Sequence, residues 1–145
     1  MHALPAPTSE QRPLTELVWD EGQACTLLTD EAPAIRVAGA PGWSPLALLA
    51  AAVDAALLTR VLETAAEADL RVLGYVSATA LVPLGGHDIL VLRPTLLVAS
   101  WTDLVPAHAC LASAFATTAE VKWLAGHVRL RGTVQALVDG RSGEA

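Results

Sequence analysis

The chain has few of the residues that mark disulfide-bonded scaffolds or nucleic-acid-binding proteins. Its 145 residues include two cysteines, Cys25 and Cys110, and only one tyrosine and one phenylalanine. Two cysteines are too few for a disulfide framework, so we expect reduced thiols and a cytoplasmic location. Nine Lys and Arg against fifteen Asp and Glu give a net charge of −6, without a basic run. This balance argues against a nucleic-acid partner and against an anionic membrane surface.

The ends of the chain differ from its middle. Residues 1–13 hold three prolines but neither a basic start nor an apolar core, so we predict a flexible arm rather than a signal peptide. Residues 139–145 form a polar tail, and 14–138 are predicted to form a single domain. With 53% hydrophobic residues, the chain has more apolar surface than one small monomer readily buries. We therefore expect an oligomer.

A long apolar segment starts at the sequence Gly-Trp-Ser-Pro, residues 42–45. Ser44 is suited to cap a helix N-terminus and Pro45 to occupy its first turn. The run to Leu58 is almost entirely Ala, Leu and Val, with Asp54 as its one polar residue. A helix that is apolar all round is usually buried all round. Because Asp54 interrupts an already short apolar run, we predict a central core helix and not a membrane span.

The remaining segments predict an α+β fold. The strand that follows Gly85-Gly86 contains Pro94, which cannot donate to a ladder, so we place it at an edge or a bulge. Residues 128–137 alternate between apolar and polar, as in a half-buried strand. After the arm, strands are predicted over 14–19, 24–28, 34–37, 70–82, 89–101 and 128–137. The long helix lies between the third and fourth of these strands, and a shorter helix is predicted over 107–117, before the last strand.

The pattern Gly-x-Ser-Pro-x-x-Leu-Leu-x-Ala-Ala from Gly42 resembles the start of the central helix in the OsmC/Ohr family. Members of this family are thiol peroxidases that reduce organic hydroperoxides in the oxidative stress response. The segment His108-Ala109-Cys110-Leu111-Ala112-Ser113 resembles the part that holds the family's resolving cysteine. The resemblance covers roughly residues 14–137. It implies antiparallel sheets wrapped around a long central apolar helix, in an intertwined homodimer.

The same resemblance implies that the peroxidase site is degenerate. The family's peroxidatic cysteine lies fourteen residues after the helix-start glycine, and that position is Ala56. Its glutamate falls on Leu46 and its arginine near Gln23. Attack on an O–O bond requires a thiolate, and a nearby guanidinium lowers the thiol pKa. The usual activity of the family is therefore disfavoured, even though its fold is favoured.

Three functional hypotheses remain open. In the first, a non-peroxidatic protein binds a small hydrophobic molecule in an inherited pocket near Trp43, or serves only as a scaffold. In the second, Cys110, which could also simply pack in the core, acts as a residual hydroperoxide reductase, with help from Cys25 on the hairpin. In the third, Asp54 is an acid or base in a pocket, against the alternative that it faces a solvent channel or is hydrogen-bonded across the dimer. No spacing of ligands predicts a metal site, and we expect no cofactor.

Overall fold

We analysed a computed structural model that describes residues 14–39 and 41–137. The predictions of an arm over 1–13 and of a tail over 139–145 lie outside the described residues. The chain forms two compact units that divide between Leu48 and Leu49. The single-domain boundaries of 14–138 stay a prediction.

The first unit is a three-stranded antiparallel sheet. Strands β1 (Glu16–Glu21) and β2 (Ala24–Leu28) form the predicted hairpin, and β3 (Ile35–Val37) pairs with the other edge of β2. The hairpin turn places Gly22 at a φ of 56°, in the left-handed region that favours glycine. The hairpin and the short third strand are confirmed.

Helix α1 (Pro45–Glu67) begins where the sequence predicted. The Ser44 hydroxyl accepts a hydrogen bond from the Ala47 amide at 3.0 Å, as an N-cap does. At the other end, the Leu70 amide donates to the Ala65 carbonyl at 2.8 Å, and Asp69 takes a φ of 53°. This left-handed residue ends the helix.

Within the single chain, α1 is buried on one side only, and the cover of its other sides by a second subunit stays a prediction. Its fully buried residues form one stripe, whereas Leu62, for example, is 49% exposed. By length and composition alone the helix could cross a bilayer: its most apolar 18-residue window has a mean hydropathy of 1.8, and 17% of that window is buried. Asp54 inside the run still favours a core helix, so the absence of a membrane span stays a prediction. The stripe consists of Val53, Leu57, Val61 and Ala65.

The predicted α+β class is confirmed, and the sheet of the second unit is mixed, with parallel strand pairs beside the predicted antiparallel ones. Strands β4 (Val72–Leu84) and β5 (His87–Val98) form a long antiparallel hairpin. Two helices then carry the chain back before it re-enters the sheet, and such a crossover makes the next strands parallel to β5. The elements after β5 are helices α2 (Leu104–Thr117) and α3 (Ala119–Trp123) and strands β6 (Val128–Leu130) and β7 (Thr133–Ala136).

Pro94 lies in the central strand and pairs in register with Ser77, so its predicted place at an edge or a bulge is wrong. Along β5, Leu90–Leu92 pair with β6 and Thr95–Val98 pair with β7. The Leu90 amide donates towards the β6 side at 2.8 Å, and in an extended strand the nitrogen of Pro94 faces the same side. Pro94 therefore falls in the gap between β6 and β7, where no N–H is needed.

The core of the second unit lies between one face of the sheet and helices α1 and α2. The inward residues of β5 meet the buried stripe of α1, and small residues of α2 allow that helix to approach closely. The buried contributors from β5 and α2 are Leu90, Leu92, Leu96, Val98, Ala107, Cys110, Leu111 and Ala114.

Gly132, in the break between β6 and β7, is predicted to be sensitive to substitution. A methyl group there would collide with the Leu111 side chain of α2. We expect Gly132→Ala to lower the free energy of unfolding by about 1–3 kcal/mol, the usual effect of overpacking. Urea denaturation measures this, with Gly74→Ala as the matched control, because a methyl at Gly74 would meet Leu97 at an ordinary 3.5 Å. Equal effects of the two substitutions would contradict the prediction.

Candidate functional site

The loop before α1 is held by backbone hydrogen bonds to the end of β3. The Trp43 amide donates to the Arg36 carbonyl, and the Ala38 amide donates to the Trp43 carbonyl, both at 2.8 Å. A side chain at Gly42 would approach the Arg36 carbonyl oxygen to 2.8 Å, so only glycine fits there. These contacts fix the position of Trp43, whose side chain is half-exposed.

A cleft of about 570 Å³ opens at this loop, and we call it the Trp43 cleft. Its volume lies in the range typical of small-molecule sites. It brings together Trp43 and Gln23, two of the residues singled out in the sequence. Of the described residues that line it, none carries a thiol or an ionisable side chain, so the arrangement can bind a molecule but offers no thiolate or carboxylate. The lining residues are Gln23, Ala38, Gly39, Pro41, Gly42, Trp43, Ser44 and Pro45.

Ala56 lines a different cleft of about 410 Å³, which we call the Ala56 cleft. One turn further along α1, Arg60 donates from Nε to the Thr117 hydroxyl at 2.9 Å and from Nη1 to Glu63 at 3.0 Å. Sequence reasoning missed Arg60, although its spacing of four residues from Ala56 puts the two on one helix face. The cleft therefore has a guanidinium but no thiol. Its other lining residues are Thr59, Thr118, Ala119 and Glu120.

Cys110 is placed in the core and not in either cleft. It is 4% exposed, and its sulfur donates to the Val61 carbonyl at 3.6 Å. Burial raises the pKa of the Cys110 thiol, which disfavours the thiolate that peroxide chemistry requires.

Cys25 and Leu46 are also placed outside the two clefts. Cys25 lies on β2, opposite Trp19 and Val37 in the sheet, and its thiol is free, as is that of Cys110. Leu46 occupies the first turn of α1 with its side chain exposed. Among the site residues predicted from sequence, only Gln23 and Trp43 line the same cleft.

Asp54 is hydrogen-bonded to its own chain. The Tyr75 hydroxyl donates to Oδ1 at 3.0 Å and the Thr79 hydroxyl to Oδ2 at 3.1 Å. Ser77 lies between them on the same face of β4, and its buried hydroxyl has no partner among the described residues. The two bonds satisfy the carboxylate without a second subunit, and Asp54 lines neither cleft.

The Tyr75 phenol should lose its proton only at an unusually high pH. Burial and the adjacent Asp54 carboxylate, which also accepts its hydrogen bond, raise the pKa of Tyr75 well above its ordinary value of 10.0. Because Tyr75 is the only tyrosine, the ultraviolet absorbance of its phenolate can be followed alone. We expect no transition near pH 10 in the folded protein and a normal one in denaturant.

Because the pKa of Tyr75 is raised in the folded chain, the free energy of unfolding should depend on pH. Below pH 10 the phenol is protonated in both the folded and the unfolded chain, so its contribution to stability is fully present. Above pH 10 the unfolded chain loses its proton first, so the free energy of unfolding should fall as the pH rises. Tyr75→Phe should remove this dependence, and a folded-state transition near pH 10 would contradict the assignment.

The folded chain is similar to several solved structures. An OsmC-like protein of Vibrio cholerae matches with a TM-score of 0.70 and 15% identity, over 81% of this chain and 96% of that one. The organic hydroperoxide resistance protein of Bacillus subtilis matches with a TM-score of 0.62 and 14% identity, over 83% and 97%. A second Vibrio cholerae protein, assigned to organic hydroperoxide resistance and holding captopril in one of its active sites, matches with a TM-score of 0.60 and 15% identity, over 85% and 92%.

The chain resembles these proteins in three-dimensional structure, whereas few of its residues are identical to theirs. No protein-family model matches the chain, and no curated protein matches its sequence. At 14–15% identity, a match over most of both chains shows a shared architecture. The chain therefore has the OsmC-like fold, shared with the organic hydroperoxide resistance proteins.

Proposed function

We propose that this protein is a non-peroxidatic member of the OsmC-like fold that binds a small hydrophobic molecule in the Trp43 cleft. The observation that carries the proposal is the composition of this cleft, in which an indole borders a space of about 570 Å³ without a thiol or an ionisable group. Trp43 supplies a large apolar surface, and Gln23 offers an amide that can orient a polar atom of the ligand.

The residues in the Ala56 cleft support the non-peroxidatic part of the proposal. Alanine at position 56 cannot attack a peroxide, and the cleft contains no other thiol. Burial of Cys110 also works against the alternative of a residual reductase built on that residue. The captopril held by a protein of the same fold supports the idea that this architecture admits a small organic molecule.

The proposal includes a homodimer in the cytoplasm. Apolar side chains of α1 outside its buried stripe, such as Leu49 and Leu62, are more than 40% exposed in the single chain. A second copy that covers them would account for an unusually apolar sequence. In the oxidative stress response, the protein would then act only by binding a ligand or as a scaffold.

Binding of the neutral fluorescent probe N-phenyl-1-naphthylamine tests the proposed site. We expect saturable binding by the unaltered protein and an affinity at least about tenfold lower in Trp43→Ala, the effect of losing roughly 1.4 kcal/mol of aromatic contact. Trp123→Ala is the matched control, because Trp123 is exposed on α3 and lines neither cleft. Equal affinity in the unaltered protein and Trp43→Ala, or no saturable binding at all, would rule out the Trp43 cleft.

A further inference from the structure

Three arginines that are separated in sequence meet on the outer face of the second unit's sheet. In the parallel ladder between β5 and β6, Arg129 lies beside Val91. The Arg131 amide donates to the Leu92 carbonyl at 2.8 Å, which places Arg131 alongside Arg93. Side chains two residues apart on a strand share a face, so all three arginines project from the side opposite the core.

Among the described residues, none of these three arginines forms an ion pair. Within residues 14–39 and 41–137, the one ion pair recorded is between Arg60 and Glu63. Arg93, Arg129 and Arg131 are all exposed, in a chain with fifteen acidic and nine basic residues. Like charges on adjacent strands repel each other, so an anion bound among them would be stabilised.

The surface beside the arginines is an apolar groove. Ile89 and Val91 are only 5% and 6% exposed, yet they lie on the outer face of β5 and outside the main core cluster. Together with Val82 and Leu84 they form the floor of a groove of about 220 Å³, and Arg129 and Arg131 line its rim. Long arginine stems can cover such a floor while their guanidinium groups stay in water.

We propose that this groove, the Arg129 groove, binds a small organic acid with an apolar body. The carboxylate would lie against the guanidinium groups of Arg129 and Arg131, which suit a planar, two-oxygen acceptor. The apolar body would lie against Val82 and Leu84, the less buried residues of the groove. The groove is smaller than a typical drug-sized site, which favours a short acid. This site is separate from the Trp43 cleft and does not depend on it.

Calorimetric titration of the full-length protein with sodium octanoate tests the proposal. We expect saturable binding that is weakened at least about tenfold in the double variant Arg129→Gln, Arg131→Gln, because two charge-assisted contacts are lost. The matched control is Arg71→Gln, an exposed arginine that does not line the groove. Octanol, which lacks the charge, and inorganic phosphate, which lacks the apolar body, should each bind at least about tenfold more weakly than octanoate.

Further variants separate this proposal from its alternatives. Leu84→Asn changes an exposed floor residue and should weaken octanoate binding without affecting folding. Trp43→Ala should leave octanoate binding intact, so failure of the Trp43 cleft and failure of this groove are distinguishable. The proposal is overturned if octanoate binds the double arginine variant as tightly as the unaltered protein, or if phosphate matches octanoate. Arginine-dependent binding to phosphatidylglycerol vesicles without octanoate binding would also overturn it.

Discussion

Replacing Asp54 with leucine is expected to lower the free energy of unfolding by about 2–4 kcal/mol. The carboxylate accepts hydrogen bonds from Tyr75 at 3.0 Å and Thr79 at 3.1 Å. Leucine has a similar size but no acceptor, so both hydroxyls would lose their partner. Because the site is only part-buried, we expect a cost of about 1–2 kcal/mol for each, in the lower part of the usual range. Urea denaturation at one fixed protein concentration gives the change in stability.

The matched control for Asp54→Leu is a triple variant that also carries Tyr75→Phe and Thr79→Val. When a polar group and its partners are all replaced by apolar groups of similar shape, the free energy of unfolding can stay nearly unchanged. We therefore expect the triple variant to recover most of the stability lost in the single variant. If the triple variant is less stable than the single one, the hydrogen bonds are not the reason for the aspartate. A stability unchanged by Asp54→Leu would contradict the account of this cluster directly.

Ala56→Cys is expected to introduce hydroperoxide reduction into a protein that we propose to be non-peroxidatic. The introduced thiol would line the Ala56 cleft, with the Arg60 guanidinium one helical turn away. A guanidinium at that spacing lowers a thiol pKa, and a decrease from about 8.5 to about 7 raises the thiolate fraction at neutral pH roughly tenfold. The thiolate would attack the O–O bond to give a sulfenic acid and an alcohol, and an added dithiol would then reduce the sulfenic acid.

Consumption of cumene hydroperoxide measures this gain, and we expect a rate at least about tenfold above that of the unaltered protein. Adding Arg60→Gln to Ala56→Cys should remove much of the gain, because the neighbouring positive charge is lost. A control variant with Ala55→Cys carries the thiol one position away, about 100° round the helix, and should stay inactive. Equal activity of the two cysteine variants would show that the Ala56 cleft is not a peroxidase site.

Local sequence signals predicted local structure well. Ser44 and Pro45 marked the start of α1 because capping depends on residues that are neighbours in sequence. The apolar alternation of 128–137 indicated which side chains face inward, although Gly132 splits the segment into β6 and β7. The edge position of Pro94 was mispredicted because the gap that accommodates it is formed by two strands far along the chain.

The candidate sites were harder to predict because their partners are distant in sequence. Tyr75 and Thr79 meet Asp54 only through the packing of β4 on α1, and no spacing rule joins them. Arg93 and Arg131 are brought together by a parallel strand pairing that follows two helices. An apolar helix such as α1 does not reveal whether its own chain or a second copy covers it, so the sequence left both possibilities open.

The proposed function rests on the claim that the fold is retained while the thiol chemistry is absent. The most direct test is turnover of cumene hydroperoxide by the unaltered, full-length protein with a dithiol reductant. Our account predicts a rate equal to that of buffer with reductant alone, both for the unaltered protein and for Cys110→Ser. Turnover by the unaltered protein that disappears in Cys110→Ser would contradict the account and would show that the buried thiol of Cys110 is a working nucleophile.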